Sequence, residues 1–362
     1  MIFDADRTAD LAHRGAGNAL VLDGLAALPE FGIRQFKMIG NLTVQSNSAA
    51  QNVIVVRSLH DADLDLTCGG GSASYAGLRL EFGVVSRIRY SCSSNTLDSS
   101  GHPCWSGGVA PQYGLYATKL GSPVLDGGGN PILTQNSYCT LRPVIEDVPY
   151  GIWLDRCLGM QIREGTVEGC GTTGLTIDGG SSKIIVVGTD FEANRGQDVH
   201  CIGSDNNFVG IACGKVFTFG TNGPSAASRN RIIGGQCNSI VFTATTAYNV
   251  AETTFNITGA GNLTDSGTYN RTKGCFDAGN AAYYSRPRFG PTVSGSPFSF
   301  QNTNGDNMQV SVSGGTVSAI DIQTPVGGFF PSGATSGVFQ LAPKDIIRIT
   351  YSAAPTVNVW GV

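Results

Sequence analysis

The sequence predicts an all-β protein: a right-handed parallel β-helix followed by a small antiparallel β-sandwich. Three observations predict it. Glycine supplies 50 of the 362 residues while charged residues make up only 14 %, a composition that suits tight turns between short strands and is the reverse of a disordered chain. A short motif recurs every 22 to 24 residues. Within each unit apolar residues alternate with polar or small ones, the pattern of a half-buried strand.

The repeat is clearest between Tyr138 and Gly210. Val144-Ile145-Glu146 precedes Gly151-Ile152-Trp153-Leu154-Asp155, Thr166-Val167-Glu168 precedes Gly174-Leu175-Thr176-Ile177-Asp178, and Asp190-Phe191-Glu192 precedes Gln197-Asp198-Val199-His200-Cys201-Ile202. The period is too brief for a propeller blade and fits one coil of a solenoid. Leucine-rich repeats share the period, but the asparagine ladder and the helical half of their consensus are not visible. Glycines such as Gly165, Gly169 and Gly188 mark corners where the chain turns sharply. Only Ala9–Leu28 hints at a 3.6-residue pattern.

The same style of coil extends upstream to Met38 and downstream to Thr272, with Gly-, Ser-, Asn- and Pro-rich loops at 92–112 and 119–137. Residues 1–36 read as a lead-in segment, 37–290 as the β-helix, and 291–362 as the sandwich. In that last part Gln309-Val310-Ser311-Val312-Ser313 and Ile346-Ile347-Arg348-Ile349-Thr350-Tyr351 alternate cleanly, separated by turn residues.

Composition also excludes functions. A net charge of -4 without a basic run argues against nucleic acid. No stretch is apolar enough to insert into a membrane, and Asp4, Asp6 and Asp10 stand where an export signal needs an apolar core. The ten cysteines form no CxxC pair and only four histidines accompany them, so neither a metal nor another cofactor is expected. The thiols read as small residues facing the interior, a Cys92–Cys104 bridge being the best exception.

The tail carries a family resemblance. Val310-Ser311-Val312-Ser313-Gly314-Gly315-Thr316-Val317-Ser318-Ala319-Ile320, Gly337-Val338-Phe339-Gln340-Leu341-Ala342-Pro343-Lys344-Asp345 and Ile349-Thr350-Tyr351-Ser352-Ala353-Ala354-Pro355-Thr356-Val357 resemble the C-terminal β domain behind the β-helices of bacteriophage tailspikes. The resemblance covers about the last 55 residues, and the β-helix matches in style. It implies a homotrimer on the virion tail, joined to other phage tail proteins, that binds and often cleaves a bacterial surface polysaccharide. Tailspikes usually carry an N-terminal attachment domain; here coils begin within about 40 residues, so attachment is expected to use a very short segment unless the chain is trimmed.

Glycoside hydrolysis needs two carboxylates. Coils one period apart bring equivalent residues about 4.8 Å apart, so Glu146, Glu168 and Glu192 are expected to form one ladder and Asp155 and Asp178 a second. Stacked carboxylates repel, which raises pKa and makes a general acid; equally, such glutamates often only bond corner backbone. Tyr138, Tyr150, Trp153 and the loop residue Trp105 are candidates to stack on sugar rings, although Trp153 reads equally well as a core residue. Arg163 and Arg195, with Arg156, supply positive charge suited to an acidic glycan. Two other functions compete: a polysaccharide lyase resting on His200, Tyr150 and Arg163, and a receptor-binding spike without catalysis.

Overall fold

The computed structural model describes residues 52–70, 75–93, 110–121, 135–221, 227–257, 263–273, 289–303 and 307–361, with shorter stretches near the N-terminus and at 124–125, 131–132, 275–276 and 282–283. No helix occurs among the described residues. The chain is a parallel β-helix capped by an antiparallel sandwich.

Each coil contributes three strands that stack in parallel, building three faces. On the first, Gln161–Arg163 pairs with Ile185–Val187. On the second, Thr166–Glu168 pairs with Asp190–Glu192. On the third, Thr173–Ile177 pairs with Gln197–Cys201. Pairing reaches the first described residues: Ile2–Asp4 lies against Lys37–Ile39, Ala9–His13 against Leu42–Ser46, and Leu20–Asp23 within Asn52–Arg57. The helical hint in Ala9–Leu28 is therefore corrected, because tertiary pairing overrides so weak a local pattern.

In-register stacking places like on like. Leu115, Ile152, Leu175 and Val199 succeed one another down the third face and are all fully buried. Beside them runs a glycine column, Gly77, Gly114, Gly151 and Gly174, where a methyl on Gly151 would sit 2.3 Å from the Gly174 carbonyl oxygen. Cys68, Cys92, Cys139, Cys157, Cys170, Cys201, Cys213 and Cys237 are buried thiols outside any disulfide. Cys92 faces inward on Cys68 and forms no bridge, correcting the proposed Cys92–Cys104 link; Cys104 lies outside the described residues. The 119–137 insertion carries a small hairpin, Val124–Leu125 against Pro131–Ile132.

The corner joining the third face to the first holds a feature the sequence reading denied, a buried asparagine ladder. Asn206 donates from its backbone N and its Nδ2 to Asn230 Oδ1, both at 2.9 Å. Asn230 does the same to Asn249, and Asn249 to Asn270, all at 3.0 Å. These residues are spaced 24, 19 and 21 apart, too unevenly to be noticed as a repeat. The ladder satisfies corner amides that the turn removes from strand pairing.

Phe298–Gln301, Ile346–Ala353, Thr316–Gln323 and Phe329–Pro331 form one antiparallel sheet, and Gly337–Leu341, Met308–Ser313 and Thr356–Gly361 another. They enclose a separate core including Val310, Ile320, Ile347 and Val359. The two parts are clamped together: Tyr248 and Tyr269 stack at 5.1 Å, and Lys344 Nζ lies 5.1 and 5.2 Å from their ring centres.

Candidate functional site

Outward residues of successive coils line up as the inward ones do, so surface chemistry comes in rows. On the second face Glu146 stands opposite Glu168, and Glu168 opposite Glu192. Glu146 and Glu168 are half-buried and Glu192 is exposed. Burial raises the pKa of the middle carboxyl, Glu168, helped by a hydrogen bond with Glu192 and by repulsion from both neighbours. At the adjoining corner Asp147 is raised by burial and then by Glu146, against the pull of Arg195.

The third face carries an aromatic platform. Tyr113 is opposite Tyr150, and Tyr116 is opposite Trp153. Tyr113 stacks on Tyr150 at 5.2 Å and meets Trp153 edge-on at 5.5 Å, while Tyr75 closes on Tyr113 at 5.1 Å and on Tyr116 at 5.3 Å. The guanidinium of Arg79 lies 5.9 Å from the rings of Tyr75 and Tyr116. Burial first, and then neighbouring tyrosines, pushes the Tyr113 phenol up to about 12. Tyr116 is raised further still, mainly by burial. Both phenols are therefore neutral hydroxyls at physiological pH.

Carboxylates border this platform in a parallel row. The Tyr116 hydroxyl donates to Asp155 Oδ2 at 3.4 Å and Thr118 Oγ1 donates to the same oxygen at 2.9 Å. Arg156 Nε is 3.5 Å from Asp155 Oδ1, and the Asp155 side chain is 19 % exposed. The pairing of Leu154 with Ile177 brings Asp178 opposite Asp155 in the next coil. On the other side Glu81 stands opposite Thr118, clasped by Arg57 at 2.6 Å and Arg79 at 2.7 Å.

The structure thus gathers Tyr150, Trp153, Asp155 and Asp178 on the third face, and Trp153 points outward, half-buried. Glu146, Glu168 and Glu192 occupy the second face. Arg163 is exposed on the first, and Tyr138 stands on the corner leading to it, 54 % exposed, with φ +56°. Trp105 lies outside the described residues. His200 is two coils beyond Trp153, its Nε2 bonded to the Gly220 carbonyl at 3.0 Å. Sequence reasoning missed Tyr75, Tyr113, Tyr116, Arg79 and Glu81. A signal was present: Gly77-Leu78-Arg79-Leu80-Glu81, Gly114-Leu115-Tyr116-Ala117-Thr118 and Gly151-Ile152-Trp153-Leu154-Asp155 repeat one pattern. Among the described residues no group of metal-binding side chains gathers.

The chain is similar in structure to phage tailspikes. It aligns over 98 % of its length, and 80 % of the other chain, with the Acinetobacter phage vB_ApiP_P1 tailspike protein at 11 % identity and a TM-score of 0.43. A tailspike protein from Acinetobacter baumannii bacteriophage Fri1, described as a capsular polysaccharide depolymerase, aligns over 97 % of this chain and 79 % of its own, at 10 % identity and a TM-score of 0.38. The enzymatically active domain of tailspike protein 2 from bacteriophage CBA120 aligns over 97 % and 75 %, at 9 % identity and a TM-score of 0.35. No protein-family model matches the sequence, and no curated protein matches it.

Proposed function

We propose that the protein is a tailspike of a phage virion that binds a bacterial surface polysaccharide on the aromatic platform and hydrolyses it with a carboxylate pair. The observation that carries this reading is the five-ring platform bordered by Asp155. Sugar rings stack their axial C–H groups on such surfaces, and a solenoid face gives an extended polymer a flat bed. Tyr116 and Thr118 orient Asp155 toward the platform edge; Asp178, one coil away, completes the pair. The reading includes self-association as a homotrimer, for which the sandwich offers the exposed apolar side chains Val326, Phe330 and Val338, 98 %, 60 % and 59 % exposed.

A second reading puts the chemistry on the glutamate row. Its support is the upward shift of Glu168 between two other carboxylates, the arrangement that makes a general acid.

The test is digestion of a panel of bacterial surface polysaccharides, following chain length, new reducing ends and unsaturated uronate absorbance together. New reducing ends without unsaturation are expected, with activity lost in Asp155→Asn, weakened binding in Trp153→Ala, and near-normal activity in Glu168→Gln. Loss in Glu168→Gln alone moves the chemistry to the second face. Unsaturated ends indicate a lyase, and intact glycan that stays bound leaves a receptor-binding spike.

A further inference from the structure

We infer a second binding subsite, for a carboxylate-bearing glycan, on the first face, built by Arg87, Arg89 and Arg142 and flanked at the corner by Tyr138. It rests on the reading of this chain as a glycan-binding spike but lies on a different face from the aromatic platform.

Two observations carry it. The first is shape. A depression at the corner is lined by Asp61, Val85, Arg87, Tyr138 and Thr140, and a second on the first face by Asp63, Arg87, Arg89, Thr140 and Arg142. Arg87 and Thr140 belong to both, so the two form one trough running from Tyr138 onto the face. The second is charge pairing. An arginine on another face, Arg57, stands between acids on both sides, Asp23 and Glu81. Here Arg87 and Arg89 have Asp63 and Asp65 opposite them on one side only; on the other side Arg89 lies directly opposite Arg142, and the pairing of Thr140 with Gln161 and Leu141 with Ile162 brings Arg163 opposite Arg142 in turn.

Like charges directly opposite in a sheet repel, so this row is stabilised by an added anion. The acids at its rim do not replace one. Asp65 is 3.0 Å from Arg89, but Asp63 is 3.7 Å from Arg87 and Glu164 3.6 Å from Arg142, and each of the three arginines is more than half exposed, where such pairs contribute little. Guanidinium groups hold carboxylates in a fork of two hydrogen bonds, and the exposed Tyr138 ring offers a stacking surface beside them. From Arg89 to Arg163 is two coils, roughly 10 Å, about the span of a disaccharide. An acidic polymer lying along the solenoid would present alternate charged sugars to the row.

The experiment is calorimetric titration of the intact protein with polygalacturonate and alginate oligomers, and with carboxyl-reduced, neutral polygalacturonate of the same length. Binding of the charged oligomers alone is expected, weakening steeply with added salt. The double variant Arg89→Ala/Arg142→Ala should lose roughly tenfold or more in affinity, at an unchanged melting temperature. Tyr138→Ala should weaken binding less, and Trp153→Ala should leave it intact. Equal affinity for the neutral polymer, unchanged affinity in the double variant, or no binding of either uronate polymer would overturn the proposal. Loss in Trp153→Ala alone would also overturn it, while sparing the platform reading. Conversely, a protein with no depolymerase activity but arginine-dependent uronate binding would retain this subsite and lose the hydrolysis reading of the platform.

Discussion

At the scale of single residues, Asp198 shows how the interior constrains an acid. It occupies the position that is glycine in the coils above, fully buried. It accepts from Asn194 Nδ2 at 2.7 Å and from the backbone N of Lys215 at 2.6 Å. Those bonds favour the carboxylate, but burial is the larger effect and pushes its pKa up to about 6. Because the folded value lies above the unfolded one, the folded chain holds this proton more tightly. The group's contribution to stability is therefore full below about pH 4 and declines as pH rises to 6, then stays level. Thermal melts of the protein and of Asp198→Asn across pH 4 to 7 should show the wild type losing ground to the variant as pH rises; a constant difference would refute the assignment.

At the scale of elements, what was legible in the sequence was the strand pattern, and what was not was the partner of each strand. Glu146, Glu168 and Glu192 lie in adjacent, uninterrupted coils, so their period showed directly that they share a row. Tyr116 and Trp153 are just as directly opposed, but the 119–137 insertion stretches their separation. The 92–112 insertion does the same between Arg79 and Tyr116. Counting along the chain therefore found Tyr150 and Trp153 and lost Tyr75, Tyr113 and Tyr116 beyond the insertions. The asparagine ladder escaped for the same reason, its spacing varying with corner length. Its energetic role is testable. Asn230→Ala removes the acceptor for two amide groups of Asn206 and the donor to Gly203 O and Asn249. Buried groups left without partners cost about 1–3 kcal/mol each, so urea unfolding should shift to a clearly lower midpoint with an unchanged slope.

At the scale of the whole molecule, the sandwich is held on the last coils by the Lys344 clamp, and the segment that leads into it is pinned to its last strand by reciprocal backbone bonds between Phe289 and Val359 at 3.0 and 2.8 Å. Its sheets were legible from alternation alone, since each strand keeps one face in the core and one in water. What it associates with was not, because alternation marks which residues face outward but not which of the exposed ones, such as Val326, Phe330 and Val338, meet another chain. If the sandwich mediates assembly into the proposed trimer, Val326→Asp/Val338→Asp should sediment as a monomer in sedimentation velocity while leaving the β-helix melting transition in place. A variant that sediments as the wild type does would exclude this surface.

The glycine column and its neighbours also bear on how such a chain changes over generations. Every coil meets the next through the same kind of interface, so duplicating or deleting one whole coil creates no junction the molecule has not already built. A lineage can thus lengthen or shorten its footprint on a polymer in steps of about 4.8 Å while keeping the ends, and whatever they attach to, unaltered. Loops inserted at the corners can diversify independently, because the coils beneath them keep their register: Tyr116 meets Trp153 directly despite the intervening chain.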